Sequence, residues 1–540
     1  MKEKYIKFIL ENVPKVLTQI DRDEDSPTFG CCDRNYWHLK IRDFSSAILQ
    51  QSGLTLALIY SLDFEGNKYY QNDNFYKWAV GTLEFWKKIQ LRDGSFNEYY
   101  PNEHGFPPTA FSLFSTAETY KILKLEDNNL IASMRKTARY LSKTIEEKAF
   151  NQEIASIAAL YSYYTIAKEE WVLEGLNKKL DRIVSLQSEE GWFPEYGGAD
   201  FGYLSVALDM LAEYYWQSKD DKVLEPLRKV PEFLSYFCHP DGTIGGEYGS
   251  RNTVYFLPNG LEVLSNLDNK SAIAIRNHIY KNIGQNNYFQ NSIDDRYFSH
   301  YVLHSFLRAL AKNNNSQIKN DISLPCEEKH RKYFRDSRLF TLKNDNYYAV
   351  VGLNKGGTIK VFDKQEEVFS DFGYRIIKSE NKIATTNWLD ENYKIKVDNN
   401  KLEISGQFNL IKGQVSSPLK HFILRCASLL FGNSIIGMLK NKLIFVDNNI
   451  DVNFKRTIEL QEEVIIIEDI IKSERVIKEL KSASNFSLRH VASGKFYKET
   501  DLMNNSGRVK VNNLKQLIVK QEFDIKDKQV IKSIDKISEV

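Results

Sequence analysis

Three loops in this chain bring together residue types that can move protons. They read DGSFNEYYPNEHGF from Asp93, EGWFPEYGGADFGY from Glu190 and DGTIGGEYGSRNTVY from Asp241. Each starts with an acidic-Gly turn and reaches a Glu-Tyr pair: Glu98-Tyr99, Glu195-Tyr196 and Glu247-Tyr248. A polar cluster follows each pair. After the first stand Asn102, Glu103 and His104; after the second, Asp200 and Tyr203; after the third, Arg251, Asn252 and Tyr255. Asn, His, Arg and Tyr around an aromatic cleft suit abstraction of the proton alpha to a uronate carboxylate. Asn, Arg or His offsets the enolate charge by hydrogen bonding. A base then takes the proton, and an acid protonates the leaving glycosidic oxygen. The catalytic candidates are His104, Tyr248, Arg251, Asn252 and Tyr255. A tyrosine of ordinary pKa about 10 is ionised in only about one molecule in a thousand at pH 7, so Arg251 would have to assist Tyr248 or Tyr255. His104, of ordinary pKa about 6.5, needs no such help.

The same loops support rival readings. Glycoside hydrolysis wants two carboxylates about 5–9.5 Å apart, and Glu98, Glu103, Glu195, Asp200 and Glu247 are all eligible. Glu98, Glu195 and Glu247 recur in step, which also fits loop ties or helix caps. Two further polar knots flank the array: DRNYWHLKIRD from Asp33 and DDRYFSHYVLH from Asp294. Substrate contacts are expected from Trp37, His38, Arg42, Tyr99, Asn102, Trp192, Asp200, Tyr203 and Glu247. His239, His300 and His304 read as structural.

The loops start 97 and 51 residues apart, which fits a repeat of about fifty residues with a degenerate copy near 142. Between them, apolar residues recur at helical spacing, as in Phe44–Tyr60, Phe75–Ile89, Ala110–Leu123 and Tyr203–Trp216. About six helical hairpins over 1–315 fit a closed (α/α) toroid, with the long loops crowding one mouth. Ring closure would bring the two polar knots together. Residues 316–336 are expected as a linker. From 337 to 540 the period changes to two, and short Val/Ile/Phe-rich runs predict an antiparallel β-sandwich.

The totals narrow the class. Lys plus Arg is 73 and Asp plus Glu is 71, a balance that gives no field for nucleic acid. The cysteines (Cys31, Cys32, Cys238, Cys326 and Cys426) lack metal-ligand spacing, and no metal or other cofactor is expected. The N-terminal MKEKYIKFILENVPKVL reads as an amphipathic helix, so a cytoplasmic setting is expected. No apolar run predicts a spanning helix. Ala427–Leu439, ASLLFGNSIIGML, reads foremost as a buried segment, with peripheral contact to a membrane surface as the alternative.

Several segments carry a family likeness. DRNYWHLKIRD, GSFNEYYPNEHGF, EEGWFPEYGGADFGYLS and HPDGTIGGEYGSRNT resemble those of bacterial heparinase II/III-like polysaccharide lyases, a group related to the alginate lyases. GLNKGGTIKVFDK followed by SDFGY resembles the start of their sheet domain. The resemblance implies a toroid-plus-sandwich fold and a lyase acting by elimination on an acidic polysaccharide, in bacterial surface-polysaccharide metabolism. A uronyl C5-epimerase, a toroidal hydrolase and a non-catalytic glycan-binding protein remain alternatives.

Overall fold

The computed structural model describes residues 2–285, 289, 294–314, 322–379, 382–412, 416–432, 449–484 and 509–537. Helices numbered in chain order form two layers. The outer layer holds α1 (Lys2–Gln19), α4 (Asp73–Lys88), α6 (Asn128–Lys143), α8 (Glu170–Leu186), α10 (Leu224–Ser235) and α12 (Lys270–Asn282). The inner layer holds α3 (Ser52–Ser61), α5 (Phe106–Ile122), α7 (Phe150–Ala167), α9 (Phe201–Ser218), α11 (Asn259–Ser265) and α14 (Leu303–Lys312). Short turns α2 (Arg34–Trp37) and α13 (Asp295–Tyr297) sit in the two polar knots.

Sequence explains the layering. Outer α6 buries Leu130, Met134, Ala138 and Leu141 along one stripe and turns its basic residues to water, as an amphipathic surface helix does. Inner α7 buries almost every residue from Phe150 to Tyr163, so it is enclosed on all sides. Inner helices pack in succession, α3 on α5, then α7, α9, α11 and α14, and α14 returns to α3. The ring is therefore closed. The glycine of the acidic-Gly turn fixes each loop on this frame. Gly94 has φ +92 and Gly191 φ +101, and a Cβ at either would lie 2.4 Å from a carbonyl of α6 or α10. Only glycine combines that backbone with so close an approach.

Two antiparallel sheets follow. The first contains β1 (His330–Phe334), β2 (Leu339–Lys343), β3 (Tyr348–Gly352), β4 (Thr358–Phe362) and β5 (Glu367–Asp371) in that order. The second is built from β6 (Tyr374–Ser379), β7 (Lys382–Thr385), β8 (Lys394–Asp398), β9 (Lys401–Lys412), β10 (Asn449–Leu460), β11 (Val464–Ser482), β12 (Lys510–Asp524) and β13 (Gln529–Ile537). The middle strands β2, β3 and β4 of the first sheet are buried on both faces. Tyr348, Val350 and Phe362 join the core of the helical ring, whereas Ala349, Val351, Ile359 and Val361 join a second core with Leu402, Ile404 and Ile458. The period of two thus divides each strand between two partners.

Two expectations change. Within the expected linker, His330–Phe334 is strand β1, paired with β2; positions 316–321 lie outside the described residues. The segment from Ala427, expected foremost to be buried, is not: its described part ends helix α15 (Pro418–Phe431), where Leu429, Leu430 and Phe431 are 71%, 75% and 64% exposed. Positions 433–439 lie outside the described residues.

Candidate active cleft

The loops preceding the inner helices are hydrogen-bonded to one another around the ring. Ala47 N–H donates to the Asn97 carbonyl at 3.0 Å, Tyr196 N–H to Lys148 at 2.8 Å and Ser250 N–H to Ala199 at 2.8 Å. Leu257 N–H donates to Ser205 Oγ at 3.0 Å, and Ser52 Oγ to the Ser299 carbonyl at 3.2 Å. The first turns of the inner helices therefore gather at one mouth, where their unpaired N–H groups carry partial positive charge.

One arc of this mouth is built around Asp200, the N-cap of α9. Its carboxylate accepts from Tyr203 N–H at 3.2 Å, Arg251 N–H at 3.0 Å and both donors of Thr253. This buried carboxylate fixes Arg251. The guanidinium lies 4.5 Å from the centre of the Tyr196 ring, a cation–π pair. Glu195 lies close by: Asn151 Nδ2 donates to its Oε2 at 2.7 Å. Its Oε1 is buried with no hydrogen-bond partner among the described residues. Burial pushes Glu195 up to about 8, the Asn151 bond and Arg251 only partly opposing it and Asp200 adding to it. It is a carboxylic acid at neutral pH. Tyr255 is 1% exposed, its ring 5.8 Å from that of Tyr301. Burial, then the neighbouring Tyr301 and Tyr203, hold its phenol well above the usual range.

The opposite arc joins the two polar knots. Glu103 Oε2 accepts from the N–H groups of Glu98 and Tyr99 at 2.6 and 2.7 Å. Glu98 is pushed up to about 8, by burial first and Glu103 second, against the pull of Arg296 and Arg42. Arg42 is anchored on Asp33 at 3.3 Å. Asn102, at φ +57, shapes the turn before Glu103, and Tyr99 is exposed beside it.

Other expected site residues lie elsewhere. Trp37 Nε1 donates to the Gln19 carbonyl at 2.8 Å, tying α2 to the first helix, and His38 packs beside it in solvent. Trp192 is buried and braces its own turn through Glu190 at 3.0 Å. His104 Nδ1 lies 2.7 Å from Asp93 and 2.9 Å from Ser95 Oγ, and its carbonyl accepts from Tyr140 of outer helix α6. His239, Thr243 and Asp241 repeat that brace at the third loop. Among the described contacts His104 shares no neighbour with Arg251 or Tyr255.

The third loop lies under the first sheet, and this diverts three more residues. Tyr248 is 1% exposed, with its hydroxyl 2.7 Å from His239 Nε2. Glu247 pairs with Lys360 of β4 at 2.7 Å, and Lys360 also pairs with Glu367. Lys355 Nζ donates to the carbonyls of Glu247 and Gly249 at 2.7 and 2.9 Å and to Asn252 Oδ1. These groups dock the sheet domain on the ring.

Sequence reasoning missed Asn151, Gln152, Tyr196 and Arg296. Asn151 and Gln152 begin α7 in the degenerate repeat. The repeat phase was the available signal, but that copy has lost its acidic-Gly turn. Among the described residues no cluster of His, Cys, Asp or Glu is arranged to hold a metal ion, and no helix is long and apolar enough to cross a membrane. A separate groove of about 1280 Å³ runs between α10, α12 and β1, past Tyr236, Ile273 and Tyr333. No expected site residue lines it.

No protein-family model matches the chain, and no curated protein sequence matches it. Solved structures do. A Paenibacillus xanthan lyase is similar with a TM-score of 0.53 at 10% identity, over 89% of this chain and 46% of its own. A chondroitin AC lyase of Streptomyces coelicolor A3, solved with chondroitin sulphate, is similar with a TM-score of 0.54 at 9% identity, over 89% of this chain and 68% of its own. The chain thus spans under half the length of the xanthan lyase. These likenesses show a fold shared with polysaccharide lyases.

Proposed function

We propose that this chain is a heparinase II/III-like polysaccharide lyase that cleaves a uronic-acid glycan by β-elimination, in the metabolism of a bacterial surface polysaccharide. We read its two stacked sheets as the sandwich that accompanies such a ring. One observation carries the proposal: Arg251, the partnerless Oε1 of a neutral Glu195, Asn151 and Tyr255 are set around one Asp200-centred arc. In this reading Arg251 holds the substrate carboxylate, and the protonated Glu195 beside it supplies a hydrogen-bond donor that a carboxylate could not. Charge that spreads onto the substrate carboxylate in the enolate is stabilised there, with the helix N-termini adding to it. The C5 proton passes to an ionised Tyr203, the C4–O bond breaks as a C4=C5 double bond forms, and the Tyr255 phenol, which burial keeps protonated, gives its proton to the leaving oxygen. Ionising an ordinary phenol at pH 7 costs about 4 kcal/mol, and burial raises that cost further for Tyr255, which therefore serves as the acid and not the base.

A uronyl C5-epimerase is the second reading, since the same proton removal followed by return to the other face needs no further group. Glu98 and Glu195, carboxyls that burial raises to about 8 on separate arcs of the mouth, leave a hydrolase as the third. Incubation with a panel of uronate polysaccharides in deuterium oxide separates them. A lyase gives the absorbance of a conjugated double bond at new chain ends. Deuterium uptake without cleavage marks an epimerase, and new reducing ends without a double bond mark a hydrolase. Binding with no chemical change would leave a glycan-binding protein and overturn the proposal.

A further inference from the structure

Helix α15 docks on the ring by its polar side. Arg425 forms a two-pronged ion pair with Asp43 at 2.5 and 2.9 Å, and Ser428 Oγ donates to the Pro101 carbonyl at 2.9 Å. The opposite face carries Leu419, Phe422, Ile423, Leu429 and Leu430 at three-and-four spacing, all more than half exposed. The two loops that α15 touches continue this surface with exposed Leu39, Ile41 and Tyr99. Three neighbouring segments thus expose large apolar side chains around α15, a denser cluster than the scattered exposed residues of an ordinary soluble surface. Its charge is one-sided. Segments 38–43 and 418–432 contain Lys40, Arg42, Lys420 and Arg425 and one carboxylate, Asp43; Arg425 pairs with Asp43 and Arg42 with Asp33, which leaves the lysines Lys40 and Lys420 at the rim with no excess of acid. An apolar stripe flanked by cations matches the acyl boundary and anionic headgroups of a bilayer. A protein partner or second copy would give no reason for acid to be excluded from the rim.

We propose that α15 and the 38–43 loop form a peripheral docking surface for an anionic lipid bilayer, holding the ring's mouth beside the membrane. The proposal is independent of the reaction assigned to the cleft.

Co-sedimentation of the full chain with sucrose-loaded vesicles tests it. Binding is expected to vesicles of phosphatidylcholine and phosphatidylglycerol in equal parts, and to fall at least about tenfold on phosphatidylcholine alone. Phe422→Ser with Leu430→Ser should lower binding by about tenfold or more with an unchanged melting curve, because both side chains are exposed. Lys40→Glu should weaken binding to the anionic vesicles alone. Absence of vesicle binding by the unaltered chain, or binding that survives the double substitution, overturns the proposal. So does a dimer in light scattering that the double substitution dissolves while lipid binding is absent; the face would then join two copies.

Discussion

At the residue scale, the roles of individual groups follow from where burial leaves their protons. Tyr255 keeps its proton because it is enclosed among aromatic rings, and its hydroxyl is the atom the proposed elimination needs. Tyr255→Phe should therefore lower kcat by about 10²-fold or more while leaving the melting temperature nearly unchanged, measured as double-bond absorbance on a responsive polysaccharide. Glu195 makes a second test. Its folded pKa of about 8 lies above the ordinary value of 4.5, so the folded chain keeps a proton that the unfolded chain releases between those limits. Its contribution to stability is full below about 4.5 and is lost as pH rises through 8. Glu195→Gln should flatten that part of the urea-denaturation profile, by up to a few kcal/mol. Asp93 shifts the other way. Against desolvation, hydrogen bonds from His104 and Ser95 bring it down to about 2, the signature of a brace for an exposed turn.

At the element scale, the acidic-Gly turn and the β4 contact decide how the parts seat. Gly191→Ala would force a Cβ to within 2.4 Å of a carbonyl of α10 at φ +101. A loss of about 1–3 kcal/mol or more is expected, read as a lower melting temperature. Lys360 stands between buried Glu247 at 2.7 Å and partly buried Glu367 at 3.1 Å. Removing it takes one cation away from both. Lys360→Ala should cost about 3–5 kcal/mol in urea denaturation. Replacing the set by apolar residues of like volume should cost much less. The elements were largely legible. Helical spacing located the hairpins, and strict alternation located the strands. Strand β1 was missed because HRKYF, with its first three residues charged or polar, resembles linker composition; pairing with β2 and the packing of Phe334 on Phe233, Tyr236 and Phe237 make it a strand.

At the scale of the whole molecule, ring and first sheet share one core. Leu339, Tyr348, Val350 and Phe362 belong to the ring's apolar interior, not to a separate sheet interior. Scanning calorimetry should accordingly show the ring and first sheet melting in one cooperative transition. Two well-separated transitions would show that the shared face contributes little. Ring closure depends on a buried network in which Arg308 of α14 pairs with Asp209 and Glu213 of α9, and Lys312 pairs with Glu213 at 2.6 Å. Those residues are far apart in sequence and gave no sign of meeting there.

The sequence by itself determined the repeat, the two-layer helical ring and the change to antiparallel strands, because periodicity is a local consequence of which face each element must bury. It also placed Arg251, Asp200, Tyr203 and Tyr255 on neighbouring loop positions, and these do gather on one arc. Tertiary packing decided which polar groups stay open to a ligand. The sheet domain settles on the third loop and takes Glu247, Tyr248 and Asn252 for docking, while His104 braces a turn against outer helix α6. Packing likewise left the apolar face of α15 in solvent, since the helix has a polar side for the ring to grip. Repetition specifies equivalent positions, but only the neighbours brought in by folding determine which of them are covered.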